Sequence, residues 1–443
     1  MRMLTSKVKR AFKLNKAGLK IKKDILTLDL SGLNYEEIKK LSNLVYHLPV
    51  FFGKKYFIRI LGIPYCLMPD LQVYLDFKRS DAEKYLFSRA CGSCKFKNAC
   101  PGFPAKLSSS GLKARAIPDI PLDISIELNT ACNLNCRFCS KDKASAMKPL
   151  PFKNIRKILA EAKQLGITYV RFTGGEPLLR KDLVKILAYA RRSGFTIGLN
   201  TNGFLLNKRL LGRIEKYVDN ILFSLCGWER ESEAIISGKT GGFEEKLANI
   251  VRARSSKISY LRIGTVASTI LIDNFRHYAA LVKKLGVNNW EFYRPFVSPA
   301  SLKEKDCYVL KRGDFIKLLS RIKRLRRSGV NAYLANALPF CIFKNSANGP
   351  ALLGAFVDDG HSRVVVDTCG RLKPGYFMDK DLGTNIKQAW QHPFIRKINS
   401  LNYLPLRCKA CPYLKWCMGG SRGAAKINSG SYFAADPLMD YHA

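Results

Sequence analysis

Leu122-Asp123-Ile124-Ser125-Ile126-Glu127-Leu128, followed closely by Ala131-Cys132-Asn133-Leu134-Asn135-Cys136-Arg137-Phe138-Cys139, decides how the rest of the chain is read. The first run alternates apolar and polar residues and reads as a strand. It delivers three thiols to a loop at its C-terminal end, where α/β folds keep their chemistry. Three thiolates are one short of a closed four-cysteine site, so a metal centre held by them keeps a position open for a substrate or cofactor. On spacing alone, the competing reading is a zinc loop completed by a distant residue.

Downstream the strand is repeated. Candidate strands at Tyr169–Phe172, Thr196–Leu199, Asn220–Leu225, Tyr260–Val266 and Asn289–Phe292 alternate with candidate helices at Asn154–Leu165, Asp182–Ser193, Asn207–Tyr217, Phe243–Arg254 and Phe275–Leu285. Regular βα alternation implies a parallel sheet with right-handed crossovers. With Ile124–Leu128 as the first strand, six units make a partial barrel. Thr173-Gly174-Gly175-Glu176-Pro177 follows the second strand, where two glycines let backbone approach a ligand and Glu176 can pair with an ammonium. Asn200-Thr201-Asn202-Gly203 closes the third strand and Ser224-Leu225-Cys226-Gly227 the fourth. All of these motifs therefore converge on one face.

Cys132-x3-Cys136-x2-Cys139 resembles the signature of the radical S-adenosylmethionine (SAM) superfamily, and the Gly174-Gly175-Glu176-Pro177 and Thr201-Asn202-Gly203 stretches resemble its GGEP and TNG elements. The resemblance implies an α/β fold, a partial (β/α)6 TIM-like barrel flanked at both ends by small cysteine-rich cluster-binding modules. It further implies that the three thiolates hold a [4Fe–4S] cluster whose open iron takes SAM, with Gly174, Gly175, Glu176 and Pro177 at the SAM amino group. Phe138, Asn202 and Ser224 complete the expected SAM site. Relatives often read Ser-Leu-Asp-Gly where this chain has Ser224-Leu225-Cys226-Gly227, which makes Cys226 a weak catalytic candidate beside its plainer reading as a buried small residue.

The flanks carry further thiols. Cys66 and the group Cys91-x2-Cys94-x5-Cys100 offer a closed set of four, and Cys408-x2-Cys411-x5-Cys417 repeats the spacing near the other end, after a hairpin candidate at Val364 to Phe377. Structural zinc would satisfy either spacing. The tail, from Val366-Asp367-Thr368-Cys369-Gly370 through Cys417-Met418-Gly419-Gly420, resembles SPASM or twitch domains, which carry auxiliary [4Fe–4S] clusters. It departs from the seven-cysteine SPASM pattern: Gly375 and Ser421 stand where cysteines are expected. One tail cluster then needs a fourth ligand, either Cys369, which we favour, or Cys341, or else keeps an open iron. These readings divide the chain into a basic lead-in (1–30), an N-terminal cysteine-rich module (31–118), the barrel (119–335) and the C-terminal domain (336–443). They imply one or two auxiliary clusters.

Composition bounds the rest. The 443 residues are 47% hydrophobic and 25% charged, which excludes disorder as a whole. No run suits a membrane span or a secretory signal, and all the cysteines except Cys226, Cys307 and Cys341 fall into metal-type spacings, which points to a reducing cytoplasm. The five histidines show no ligand spacing. Lys and Arg total 75 against 34 Asp and Glu, a net charge of +41 that admits a polyanion partner as well as a merely lysine-rich surface. Residues 1–30 read as a basic amphipathic helix with Leu4, Val8, Phe12 and Leu19 on one side, and Asn34–Leu48 reads as a second helix.

The sequence thus predicts a radical SAM enzyme acting on a peptide or protein, fed by a low-potential donor such as ferredoxin or flavodoxin. Cofactor or small-metabolite biosynthesis and RNA modification are the alternatives within the class. A non-catalytic zinc protein that binds nucleic acid is the alternative outside it.

Overall fold

The structure is a computed structural model. It describes residues 119–140, 149–296, 306–342, 359–411 and 413–439, the strands at 18–22, 25–29, 57–61 and 75–78, short pieces between 85 and 104, and residues 352 and 355. The chain divides at Asp119 into two compact units.

In the first unit, β1 (Gly18–Lys22), β2 (Ile25–Asp29), β3 (Phe57–Leu61) and β4 (Leu75–Lys78) form a sheet in that order, and β5 (Tyr85–Leu86) pairs with β6 (Phe103–Pro104). This corrects the expected helix over 1–30 where that span is described, at 18–22 and 25–29. Leu19 and Ile21 alternate with Lys20 and Lys22, a period of two that suits the β1–β2 pairing, whereas a helix needs a recurrence near four. Leu4, Val8, Phe12, the Asn34–Leu48 helix and Cys66 lie outside the described residues.

The second unit is built on β7 (Asp123–Glu127), β8 (Tyr169–Thr173), β9 (Thr196–Thr201), β10 (Asn220–Ser224), β11 (Tyr260–Val266) and β12 (Asn289–Tyr293). They lie parallel and in chain order, the six expected strands of the partial barrel. The sheet stays open. It is longer than expected: β13 (Ala332–Leu334) extends it past β12, and on the other edge β14 (Arg363–Val366) runs parallel to β7 and turns back through β15 (Leu372–Lys373). The predicted tail hairpin is therefore part of the barrel sheet.

Helices cover one face. In α1 (Phe152–Gln164), Ile155, Ile158, Leu159 and Ala162 recur at helical spacing and are buried. The helices α2 (Leu183–Arg192), α3 (Lys208–Ile214), α4 (Arg230–Ser237), α5 (Phe243–Arg254), α6 (Thr269–Asp273) and α7 (Phe275–Leu285) follow in the crossovers. Beneath them Ile124, Ile126, Val170, Phe172, Ile197, Leu199 and Ile221 are fully buried. Because strand side chains alternate, the neighbours of these residues point into the barrel. Asn207 and Ser268 cap α3 and α6 by accepting the Leu210 and Leu271 N–H groups.

Candidate functional site

The cysteine loop leaves β7 and is fastened at two points. The Asn135 and Arg137 N–H groups donate to the Ser237 and Ile236 carbonyls at 2.8 and 3.0 Å, satisfying the otherwise unpaired C-terminal end of α4. Gly238, in the left-handed region at φ 67°, ends that helix, and a Cβ there would stand 2.9 Å from the Asn135 carbonyl oxygen. Cys132 is exposed, and Cys136 and Cys139 are half-buried. The loop thus offers its sulfurs at the C-terminal end of the strands while its backbone is held from behind.

The Gly174-Gly175 pair packs closely against backbone. A Cβ on Gly174 would lie 2.5 Å from the Asn129 carbonyl oxygen, and one on Gly175 2.2 Å from that of Ala131. Instead, the Gly175 and Glu176 N–H groups donate to those same oxygens at 2.7 and 2.8 Å. The glycines are what lets the two loops lie against each other. Glu176 is enclosed by protein partners. It is 1% exposed, and its carboxylate accepts from the Leu178 N–H, the Thr201 hydroxyl and the Asn202 N–H at 2.8 to 2.9 Å. Burial pushes its carboxyl above the ordinary glutamate value, against those three bonds. Glu176 is a clasp between the second and third motifs. From that clasp Asn202 reaches forward, donating to Asn133 Oδ1 at 2.8 Å and directing its amide at Cys132 Sγ, 3.9 Å away.

Residues 126–285, which hold every motif of this site, match the Radical SAM superfamily. This segment is a radical SAM domain. The chain is 24% identical over 342 residues to a PqqA peptide cyclase of Gluconobacter oxydans, covering 74% of this chain and 93% of that protein. Over 337 residues it is 24% identical to the mycofactocin maturase MftC of Mycolicibacterium smegmatis, covering 70% and 80% respectively. The structure of Streptococcus suis SuiB bound to S-adenosylmethionine shares the fold, with a TM-score of 0.59 at 17% identity over 73% of this chain and 77% of that one.

A radical SAM enzyme with a C-terminal auxiliary domain uses a [4Fe–4S] cluster and SAM, and two features of this site fit them. The Cys132 sulfur already receives the Leu134 N–H as well as the Asn202 amide, the donors a thiolate takes when it ligates iron. Asn129 Oδ1, beside Gly174, is buried with no hydrogen-bond partner and could accept from an ammonium. Burial pushes the Cys132 thiol up, as do the charges of Glu176, Cys136 and Cys139. Among the described residues no three His, Cys, Asp or Glu side chains close around a single metal ion. A cubane cluster takes each thiolate on a different iron and does not ask them to.

Cys226 is 4% exposed and bonded through its thiol to Cys136, which pushes it well above the ordinary cysteine value, as does its burial. It backs the cysteine loop. Its backbone is fixed by Glu233, whose Oε2 accepts from the Cys226 and Gly227 N–H groups at 3.1 and 2.7 Å, and by the Tyr278 hydroxyl on its carbonyl at 2.5 Å. Glu233 in turn holds Lys246 at 2.6 Å, with both side chains essentially sealed from water. Sequence reasoning passed over this pair, because the partners sit on different helices and neither belongs to a motif. Phe138 meets Tyr308 edge to face, with ring centroids 5.7 Å apart, while Pro177 is buried at the start of a 3₁₀ turn and Ser224 is half-buried at the end of β10.

In the tail, Cys408 and Cys411 share a turn, with the Cys411 N–H donating to the Cys408 carbonyl at 3.1 Å, and Cys417 is buried. Burial pushes the Cys408 thiol up, followed by the charges of Cys341 and Cys411; burial likewise pushes Cys417 up to about 12, with Cys341 adding to it. The 3₁₀ turn Phe340–Ile342 therefore stands against this group, and the Phe340 N–H donates to Cys417 Sγ at 3.4 Å. Cys369 is exposed in the turn between β14 and β15, its N–H bonded to Asp367. Ser421, where a cysteine was expected, caps the helix Arg422–Ser429 by accepting the Ala424 N–H. In the first unit, the Cys94 N–H donates to the Cys91 carbonyl at 3.2 Å, and the Gly102 N–H approaches Cys100 Sγ at 3.5 Å.

Proposed function

We propose that the protein is a radical SAM peptide maturase, which abstracts hydrogen from a peptide or protein held in the barrel mouth. The support is the likeness, over most of the chain, to proteins named as a peptide cyclase and a maturase, joined to the motif geometry at the strand ends. When bound, the cluster and SAM supply the reductive cleavage that yields a 5′-deoxyadenosyl radical. In this reading Cys132, Cys136 and Cys139 hold the cluster, Asn202 and the Leu134 N–H orient Cys132, and Asn129, Gly174, Gly175 and Pro177 shape the shelf for the methionine end of SAM. Phe138 and Ser224 border the nucleoside. A low-potential donor of the ferredoxin or flavodoxin kind supplies the electron, in the reducing cytoplasm that suits cysteines held outside disulfides. Among the described residues no helix is long and apolar enough to cross a membrane. The test is incubation of the reconstituted protein with SAM, reductant and the small peptides encoded beside its gene. A mass change in one of them is expected, and SAM cleavage that leaves every such peptide unaltered would remove the maturase reading.

Cys341 is the fourth thiol of the tail site, in place of Cys369, because its turn supplies both a neighbouring thiol and an N–H to the Cys417 sulfur. Cys341→Ala is expected to lower iron by about four per chain, one cubane, with Cys369→Ala unchanged. The reverse result would restore Cys369. Cys91, Cys94 and Cys100, with Cys66, form the corresponding N-terminal set. The +41 charge is assigned to a polyanion partner, and its test is RNA binding that weakens steeply between two salt concentrations; no binding at low salt would leave only a lysine-rich surface.

A further inference from the structure

The barrel interior holds three arginines and three carboxylates. Asp123, Ser125 and Glu127 of β7, Tyr169 and Arg171 of β8, Arg262 of β11, Glu291 and Tyr293 of β12 and Arg363 of β14 share the face opposite the helix-covered core. Arg363 grips Asp123 with two N–H groups, one at 3.1 Å. Arg262 donates to both oxygens of Glu291 at 3.0 and 3.1 Å and to Asn220 at 2.8 Å. Glu291 is completed by the Tyr293 and Tyr333 hydroxyls. Glu127 has the Lys373 ammonium 3.9 Å away, so each carboxylate is taken.

Arg171 is left over. It lies over the Tyr169 ring, 5.5 Å from the centroid, and among the described residues no carboxylate is within ion-pair distance. Its like charge acts on both Arg262 and Arg363. The Asp123 charge reaches Arg171, but that carboxylate is held by Arg363, and a buried cation without an ion-pair partner of its own is costly. Around it, polar atoms are buried with nothing to bond: Arg171 Nε, Arg262 Nη2, Ser125 Oγ and Tyr376 Oη. Ser125 is fully buried and Arg262 8% exposed. Each of these four can donate, and donors without an acceptor ask for an oxyanion.

We propose that this interior is an anion subsite in which Arg171, helped by Ser125, Tyr376 and the free edge of Arg262, receives a carboxylate of the substrate. The planar guanidinium fork matches a carboxylate. Arg171 precedes Thr173, the last residue of β8, by two positions, so its Cα lies about 7 Å down the strand from the end that carries the Gly174-Gly175-Glu176 loop. A group bound there sits beneath the SAM shelf and leaves the carbons above it facing the shelf. The substrate class is then an acidic peptide, anchored by an acidic side chain or by its C-terminal carboxylate. This specification rests on the maturase reading, although the subsite itself does not.

Thermal stabilisation of the reconstituted enzyme by defined probes tests it. The probes are acetyl-Gly-Glu-Gly-amide, its Gln counterpart, Gly-Gly-Gly with a free or amidated C-terminus, and succinate. A carboxylate probe should stabilise the wild-type protein while its amide does not, and Arg171→Gln should weaken that response roughly tenfold to a hundredfold. Ser125→Ala and Tyr376→Phe, which leave the charge in place, should each weaken it several-fold. Because Arg171→Gln removes an uncompensated charge, its unliganded melting temperature should not fall. A response to the Glu probe alone assigns the anchor to a side chain, and one to the free C-terminus alone assigns it to the chain end. Arg171-dependent stabilisation by succinate with neither peptide would keep the subsite and remove the peptide. Equal responses to acid and amide, or a response unchanged in Arg171→Gln, would overturn the subsite.

Discussion

Alanine at Cys132, Cys136 or Cys139 is expected to reduce 5′-deoxyadenosine formation from SAM to background, measured with chemically reduced, anaerobically reconstituted protein. Each thiolate takes one iron, and the site has no spare: among the described residues Cys226, the thiol nearest this loop, is turned onto Cys136 and pinned by Glu233 and Tyr278. Undiminished cleavage in any one variant would overturn the ligand assignment. Asn202→Ala grades the effect. It keeps all three thiols but removes the amide aimed at Cys132 and the bond to Asn133, and losing such a supporting contact typically costs ten- to a hundredfold in metal affinity. Iron retention under a chelator should fall by about that factor. Retention equal to wild type would show that the amide does not support the ligand.

Why the core was legible and its surroundings were not follows from the range of the interactions. Strands such as Tyr260–Val266 and helices such as Phe243–Arg254 declare themselves through local periodicity, and the βα alternation then leaves little choice of topology. β13 is three residues long, too short to carry a pattern, and the pairing of β14 with β7 joins residues some 240 apart. Motif reading placed Glu176 in its loop but not its protein partners, since nothing local reveals that Thr201 and Asn202 fold back onto its carboxylate. Cys369 looked the better fourth thiol because it lies in a motif, and Cys341 lies in none. Proximity in the fold favours Cys341.

The largest stability effect is expected at Glu233 and Lys246. Both are sealed in the protein, joined at 2.6 Å, and Glu233 also bonds the Cys226 and Gly227 backbone. Burial, the largest single influence, would lower the Lys246 pKa, but the Glu233 carboxylate together with the Cys226 and Cys136 thiols holds the ammonium above the ordinary lysine value. The contribution of Lys246 to the pair is therefore present throughout the neutral range and is lost only as pH rises through that raised value. Lys246→Met leaves a buried carboxylate without its counterion and should cost about 3–5 kcal/mol, read as a shift in the urea midpoint. Glu233→Gln should cost a similar amount by stranding the ammonium. The double variant should recover much of the loss, since two neutral side chains leave no charge behind. Additive losses in the double variant would show that the two residues stabilise the fold independently. The consequence reaches the chemistry, because α4 carries Glu233 midway along it and, at its C-terminal end, the carbonyls that fasten Asn135 and Arg137. Either single variant should therefore also shed iron from the Cys132 loop faster than the wild type, and the double variant should slow that loss again.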